Sequence, residues 1–123
     1  MRGQKLFIRP IEDGDSDSIR AFLKSHGGRI AQTRCGLVAK LVGDLVAVVA
    51  MEIEHDAIRV DDVVVATELR RKRIGRFMLD EVERMASKLD RRRVVVSGRA
   101  AEREFFQRTG FREDGEWLVR DVR

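Results

Sequence analysis

The chain has 123 residues, of which 37% are charged and 43% are hydrophobic, and its formal net charge is +4. This length gives room for one hydrophobic core, so we predict a single domain over residues 1–123 and exclude a two-domain enzyme. The two signs of charge are too evenly balanced for a basic tail or a disordered arm. A single cysteine, Cys35, excludes an internal disulfide and a multi-thiolate metal site.

The sequence also predicts a cytoplasmic protein. No apolar run approaches the roughly 20 residues needed to cross a bilayer. Residues 1–5 lack the long apolar stretch of a signal peptide. The low cysteine count is typical of a reducing compartment.

The first elements in chain order are a short strand over residues 5–9 and a helix over residues 16–25 that ends at Gly27. Residues 37–42 and 45–53 are then rich in β-branched side chains, which favours two strands.

Gly43-Asp44 separates these two strands, and such a two-residue loop is typical of a β-hairpin. A second turn at His55-Asp56 leads to a strand over residues 58–65. The sheet is therefore predicted to begin as an antiparallel meander.

The longest helix signal lies between two apolar strands, 58–65 and 94–96. Such a helical crossover is the connection that parallel strands need. One apolar stripe recurs at steps of three and four residues, at Ile74, Phe77, Met78, Val82, Met85 and Leu89.

The end of the chain predicts a helix over residues 100–109, stopped by Gly110, and a hairpin over residues 111–122 around Asp114-Gly115. The buried side of that helix is predicted to be Ala101, Phe105 and Phe106. The fold class is therefore α/β, with a mixed, mostly antiparallel central sheet and flanking helices. Its predicted order is β-α-β-β-β-α-β-α-β-β.

A loop loaded with cations joins the strand 58–65 to the long helix. The first N–H groups of a helix have no partner inside the helix and lie at the positive end of its dipole, so they attract phosphate groups. Gly75 would let a ligand approach the backbone closely. The sequence therefore predicts a phosphate or pyrophosphate site here, against the alternative of a solvated basic helix start.

These residues resemble motif A of the Gcn5-related N-acetyltransferases (GNAT), with Val65 at the strand end, Arg70 as the leading basic residue and Gly75 in the helix start. Residues 105–111, Phe-Phe-Gln-Arg-Thr-Gly-Phe, are similar to motif B of that family. The resemblance implies an acyl-CoA N-acyltransferase fold and an enzyme that transfers an acetyl group from acetyl-CoA to a primary amine by direct attack. Acetyl-CoA would be a co-substrate, and no metal is implied.

The same resemblance implies which residues hold acetyl-CoA. The strand would pair with the pantetheine arm, the loop and helix start would hold the pyrophosphate, and the last helix would flank the CoA tail. The implied binding residues are Val63, Val64, Val65, Arg70, Arg71, Lys72, Arg73, Ile74, Gly75, Arg76, Phe105, Phe106 and Arg108.

Three positions depart from the family pattern. Arg73 stands where the family usually has the first glycine, and we expect that a helical first turn there needs no positive φ. Arg99 replaces a frequent asparagine. Phe106 falls where many members have a tyrosine that protonates the departing thiolate, so turnover is expected to be slower.

A carboxylate on the central strands is expected to take the proton of the attacking amine. Strict alternation along the strand puts Arg59, Asp61, Val63 and Val65 on one face. We predict Asp61 as the first candidate base, acting directly or through water, and Glu52 as the second. Glu54 is a further rival, and all three carboxylates have the alternative of being solvated charges or partners of Arg59.

Two other functions stay open at this point. One is a catalytically weak or silent CoA-binding or interaction module on the same fold. The other is nucleic-acid binding, which the acidic residues of the long helix disfavour.

His26 and His55 lack the spacing of metal ligands. The acceptor is left open between a protein terminus, a lysine side chain and a small molecule, and a homodimer is an open alternative.

Overall fold

Seven strands and three α-helices make up the computed structural model, which describes residues 5–27, 35–100 and 102–123. The strands are β1 (Leu6–Pro10), β2 (Gly36–Leu41), β3 (Asp44–Ile53), β4 (Ala57–Val65), β5 (Arg93–Ser97), β6 (Arg112–Asp114) and β7 (Trp117–Asp121). The helices are α1 (Ser16–His26), α2 (Ile74–Lys88) and α3 (Arg103–Arg108). None of the helices in these described ranges is long and apolar enough to span a bilayer.

The strands form one open sheet in the order β1-β2-β3-β4-β5-β7-β6. Only β4 and β5 are parallel, and α2 is the crossover between them. The predicted fold class and element order are therefore confirmed. The position of β7 between β5 and β6 means that the last hairpin folds back into the sheet.

The apolar face of α2 differs from the predicted stripe. Phe77 and Leu89 are 45% and 39% exposed, whereas Leu79 is buried. The stripe was wrong at those two positions because the buried face of α2 follows Met78, Leu79, Val82 and Ala86, which lie against the sheet.

The last helix is also shorter than the predicted range of 100–109. Helix α3 begins at Arg103, whose guanidinium donates to the carbonyl oxygen of Gly98 at 2.7 Å and so holds the preceding turn. Gly110 ends the helix with a positive φ of 100°, as predicted. The predicted burial of Ala101 lies outside the described residues.

Both predicted hairpin loops are displaced by one residue. Leu41 pairs with Asp44, so the first loop is Val42-Gly43, and both of its residues have positive φ, 52° and 83°. Asp114 pairs with Trp117, so the second loop begins at Gly115. In the first loop, the left-handed conformation at both central positions is the geometry of a tight hairpin that follows the sheet twist.

Replacing Val42 with asparagine is expected to stabilise the fold by about 1 kcal/mol. Val42 is 76% exposed and β-branched in a left-handed conformation, so it has little packing to lose and strain to relieve. The measurement is urea unfolding of Val42→Asn beside Val42→Thr, which keeps the branched Cβ. Equal midpoints for the two variants would contradict the strain argument.

A charged pair fixes the start of α1 to the first strand. Two guanidinium nitrogens of Arg9 donate to the two carboxylate oxygens of Asp15 at 2.7 and 2.8 Å. This pairing, with a further hydrogen bond from the Glu12 N–H, lowers the pKa of Asp15 to about 2. A carboxyl whose pKa is depressed on folding contributes stability above its unfolded pKa of about 3.9.

We expect Asp15→Asn to lower the free energy of unfolding at pH 7, and the difference from wild type to shrink as the pH falls from about 4 to 2. The measurement is the urea midpoint of both proteins across this range. Asp17→Asn is the matched control, because Asp17 is almost fully exposed and makes only a loose 3.8 Å pair with Arg20. A constant difference at every pH would contradict the assignment to Asp15.

Candidate functional site

A cleft of about 710 Å³ opens where strands β4 and β5 separate. The two strands pair only over residues 57–60 of β4, with Val60 opposite Val96 as the last pair. Beyond that point β4 stays with β3, while β5 stays with β7. In the described part of the chain, the edge of β4 over residues 61–65 therefore has no strand beside it on the side of β5.

A β-bulge lies at the point where the two strands separate. Asp62 pairs with Ala50 of β3, and Val60 pairs with the adjacent Met51. Asp61 is therefore an extra residue in the ladder between β3 and β4. Such an insertion bends a strand and increases its twist, which accounts for the divergence of β4 from β5.

The bulge also changes which residues of β4 share a face. From the register on β3, Val63 and Val65 lie on the face of Val60, and Asp62 lies on the face of Arg59. The prediction that Val63 and Val65 share a face with Arg59 is therefore wrong. Strict alternation fails because the chain gains one residue at Asp61.

The connection from β4 to α2 contains two residues in the left-handed conformation. Arg71 has a φ of 70°, and Arg73, just before the helix, has a φ of 65° and a ψ of 12°. The prediction that Arg73 needs no positive φ is wrong, because Arg73 precedes the helix instead of lying in its first turn. A left-handed residue followed by a helical one turns successive N–H groups to one side, an arrangement that binds anions.

Among the described residues, no side-chain cap is formed at the N-terminus of α2, so the N–H groups of residues 74–76 are available to a ligand. Four arginines line this end of the cleft, and none of them makes an ion pair within the described chain: Arg71, Arg73, Arg76 and Arg108. Lys72 is exposed and is not among the residues that line the cleft. This end of the cleft is therefore cationic.

Arg70 differs from its neighbours, because its guanidinium binds the protein itself. Its Nε donates to the carbonyl oxygen of Val65 at 3.2 Å, and a terminal nitrogen donates to that of His26 at 2.8 Å. The side chain therefore connects the end of β4 with the end of α1. His26 itself lines the cleft.

The aromatic residues of α3 also line the cleft, and one of them lies against the start of α2. A Cβ on Gly75 would lie 2.9 Å from Cζ of Phe105, so the absent side chain makes room for this ring at the helix start. Phe106 is 2% exposed and also lines the cleft. Its ring packs edge-on against Phe105 and Phe111, at centroid distances of 5.3 and 5.4 Å.

The two candidate bases have different surroundings. Asp61 lines the cleft, and its Oδ1 accepts a hydrogen bond from Arg59 Nε at 2.9 Å. This hydrogen bond is the main cause that raises the pKa of the Arg59 guanidinium. Glu54 Oε2 accepts a hydrogen bond from a second guanidinium nitrogen of Arg59 at 2.9 Å.

Glu52 does not line the cleft, and it lies opposite Arg59 in the ladder. Burial raises the pKa of the Cys35 thiol, and the charge of Glu52 adds to this effect. A thiol with a raised pKa is a poor nucleophile at neutral pH. The geometry thus separates Asp61, in the cleft, from Glu52, beside Cys35.

Three further residues that the sequence did not predict for the site also line the cleft: His26, Asp62 and Glu102. His26 reaches it because α1 ends beside the end of β4, and this contact is not local in sequence. Asp62 would have been placed on the opposite face by strict alternation. The position of His26 depends on the packing of α1, and the face of Asp62 depends on the bulge. The sequence pattern reveals neither.

The comparisons with known proteins identify the family. The model of the Acetyltransferase (GNAT) domain matches residues 12–121. The chain therefore belongs to the GNAT acetyltransferase family. A search of curated proteins found no match to this sequence.

Solved structures have the same fold at low sequence identity. N-acetylglutamate synthase from Neisseria gonorrhoeae, complexed with coenzyme A and N-acetyl-glutamate, is 16% identical with a TM-score of 0.80, over 97% of this chain and 35% of that one. The ribosomal-protein-S18-alanine N-acetyltransferase from Escherichia coli is 12% identical with a TM-score of 0.80, over 96% and 94% of the two chains. A GNAT family N-acetyltransferase from Escherichia coli in complex with CoA is 16% identical with a TM-score of 0.77, over 100% and 84%. The chain thus spans about a third of the synthase and most of the other two.

Proposed function

We propose that this protein is an N-acetyltransferase that transfers the acetyl group of acetyl-CoA to a primary amine. The observation that supports this most directly is the cleft itself. It combines an open backbone edge on β4, an uncapped helix N-terminus and four arginines without ion pairs in the described chain. An extended amide chain can add to an open strand edge, and a pyrophosphate suits the N–H groups and cations at the start of α2.

Acetyl-CoA would supply a thioester as the acetyl donor. The nitrogen of the acceptor forms a bond to the carbonyl carbon, the carbon–sulfur bond breaks, and the sulfur leaves as the thiolate of CoA. Backbone N–H groups near Val65 would stabilise the charge on the carbonyl oxygen. The proton of the amine passes to a base, and the thiolate takes a proton from solvent.

Asp61 is the proposed base, because it lies in the cleft at the point where β4 diverges, whereas Glu52 lies outside the cleft. We expect Asp61→Asn to lower kcat about 100-fold and Glu52→Gln to change it less than threefold. The measurement is the rate of thiol release at saturating acetyl-CoA and amine. Equal losses in the two variants would contradict the choice of Asp61.

A second candidate function is a CoA-binding module with little or no turnover. Phe106 favours it, because this buried ring carries no hydroxyl to protonate the leaving thiolate.

Two measurements separate these functions. Calorimetric titration with acetyl-CoA tests the binding that both require, and absence of heat and of a thermal shift at millimolar ligand would reject both. Thiol release with a panel of peptide N-termini, lysine peptides and small amines then tests transfer. Release above the protein-free rate with one amine class supports the transferase, and binding without release supports the silent module.

A further inference from the structure

The cationic loop between β4 and α2 is attached to the C-terminal end of α1 by a small set of hydrogen bonds. His26 Nδ1 lies 3.1 Å from the backbone nitrogen of Thr67 and 2.8 Å from its hydroxyl oxygen. The carbonyl oxygen of His26 accepts the hydrogen bond from Arg70 described above. One residue of α1 therefore holds both ends of the turn that leads from β4 to the loop.

These contacts determine which nitrogen of the neutral His26 ring carries the proton. The Thr67 N–H can only donate, so Nδ1 of His26 must accept and the proton of a neutral ring is on Nε2. The ring also packs on Phe22, one helical turn earlier, with centroids 4.7 Å apart. Because Phe22 is 6% exposed and belongs to the core, this packing limits the positions that the ring can take.

These hydrogen bonds hold the residues at which the cationic loop begins. Residues 67–69 form a single 3₁₀ turn with no side-chain cap of its own, and the two left-handed residues Arg71 and Arg73 follow directly. Left-handed conformations of non-glycine residues are strained and persist only when their surroundings hold them. The bonds from Thr67 and Arg70 to His26 supply such a restraint immediately before the strained residues.

We infer that His26 is a positioning residue for the cationic loop, and that its Nδ1 acceptor, more than its ring, keeps the loop in the conformation that binds acetyl-CoA. This inference rests on the proposed function. His26 acts through Thr67 and Arg70, and it takes no part in the chemical step. Its loss should therefore raise the KM for acetyl-CoA and leave kcat almost unchanged.

Two substitutions separate the acceptor from the ring. His26→Asn places Oδ1 at the position of Nδ1 and keeps the acceptor without the ring. His26→Phe keeps an aromatic ring against Phe22 and removes the acceptor. We expect the Kd of acetyl-CoA, measured by calorimetry, to rise about tenfold in His26→Phe and less than threefold in His26→Asn.

Controls identify the source of any change. His55→Ala, in an exposed turn, is expected to leave the Kd unchanged. The double variant His26→Phe with Arg70→Ala should weaken binding less than the sum of the two single variants, because both side chains hold the same loop. Thermal unfolding of each variant reports whether the fold is intact.

The outcomes distinguish the inference from the function on which it rests. If wild-type protein does not bind acetyl-CoA, the proposed function fails. If wild type binds and folded His26→Phe binds equally well, the role of His26 is overturned while the proposed function stands. A loss in His26→Asn as large as that in His26→Phe would assign the effect to ring packing and also overturn the inference.

Discussion

Reversing the charge of Arg71 or Arg73 is expected to weaken acetyl-CoA binding about 100-fold, because hydrogen bonds to charged groups contribute about 1.5–3 kcal/mol and the new carboxylate repels the pyrophosphate. Both arginines line the cleft without an ion pair in the described chain. Within the described residues, neither side chain makes a hydrogen bond or an ion pair that a substitution would break. The loss should therefore appear in the Kd and not in the melting temperature.

Lys72→Glu is a matched control for this prediction. Lys72 lies between the two arginines and gives the same change of net charge, but it does not line the cleft. We expect the Kd of Lys72→Glu for acetyl-CoA to rise less than tenfold at low salt and to approach the wild-type value as added salt screens the charge. If Lys72→Glu weakens binding as much as the arginine variants, the general field of the loop, and not direct contact, holds the ligand.

Replacing Phe106 with tyrosine is expected to raise kcat at least tenfold. General acid catalysis typically contributes about 10²–10⁴-fold, and a thiolate that leaves readily needs only the lower part of this range. The ring of Phe106 is held edge-on by two neighbouring phenylalanines and lines the cleft, so an added hydroxyl would have a defined position. The measurement is the rate of thiol release at saturating substrates.

Phe111→Tyr is the control for the added hydroxyl. Phe111 is buried against Phe106 but does not line the cleft, so its hydroxyl would gain no contact with a ligand. We expect no increase in kcat from this variant. A folded Phe106→Tyr protein whose kcat stays within twofold of wild type would contradict the role of this position in protonating the thiolate.

The fold could be predicted from the sequence because most of its signals are local. The β-branched runs of β2 to β4, the two-residue loop before β3 and the apolar stripe from Ile74 onward each depend on neighbours within a few residues. The errors also have local causes. The predicted apolar stripe of α2 included Phe77, which is exposed, because Phe77 lies next to the buried Met78 in the sequence. The first hairpin loop was predicted one residue too late, because Val42, Gly43 and Asp44 are adjacent and the last two are typical turn residues.

The candidate site was predictable where chain order alone brings residues together. Val65, Arg70 and Gly75 follow one another along strand, loop and helix, and all three line the cleft. His26 and the face of Asp62 were not predictable in this way. One depends on where α1 packs, and the other on a bulge that alternation of side chains cannot reveal.

The bulge at Asp61 makes the opening of the sheet depend on the length of β4 and not on the identity of a side chain. A strand shorter by this one residue would restore regular alternation with residues 62–65 on their present faces, and it would remove the insertion that bends β4. Point substitutions around the gap can alter charge and shape while the gap persists. Substitutions around the gap can therefore leave the opening in place, whereas deletion of the extra residue would remove the bend that separates β4 from β5.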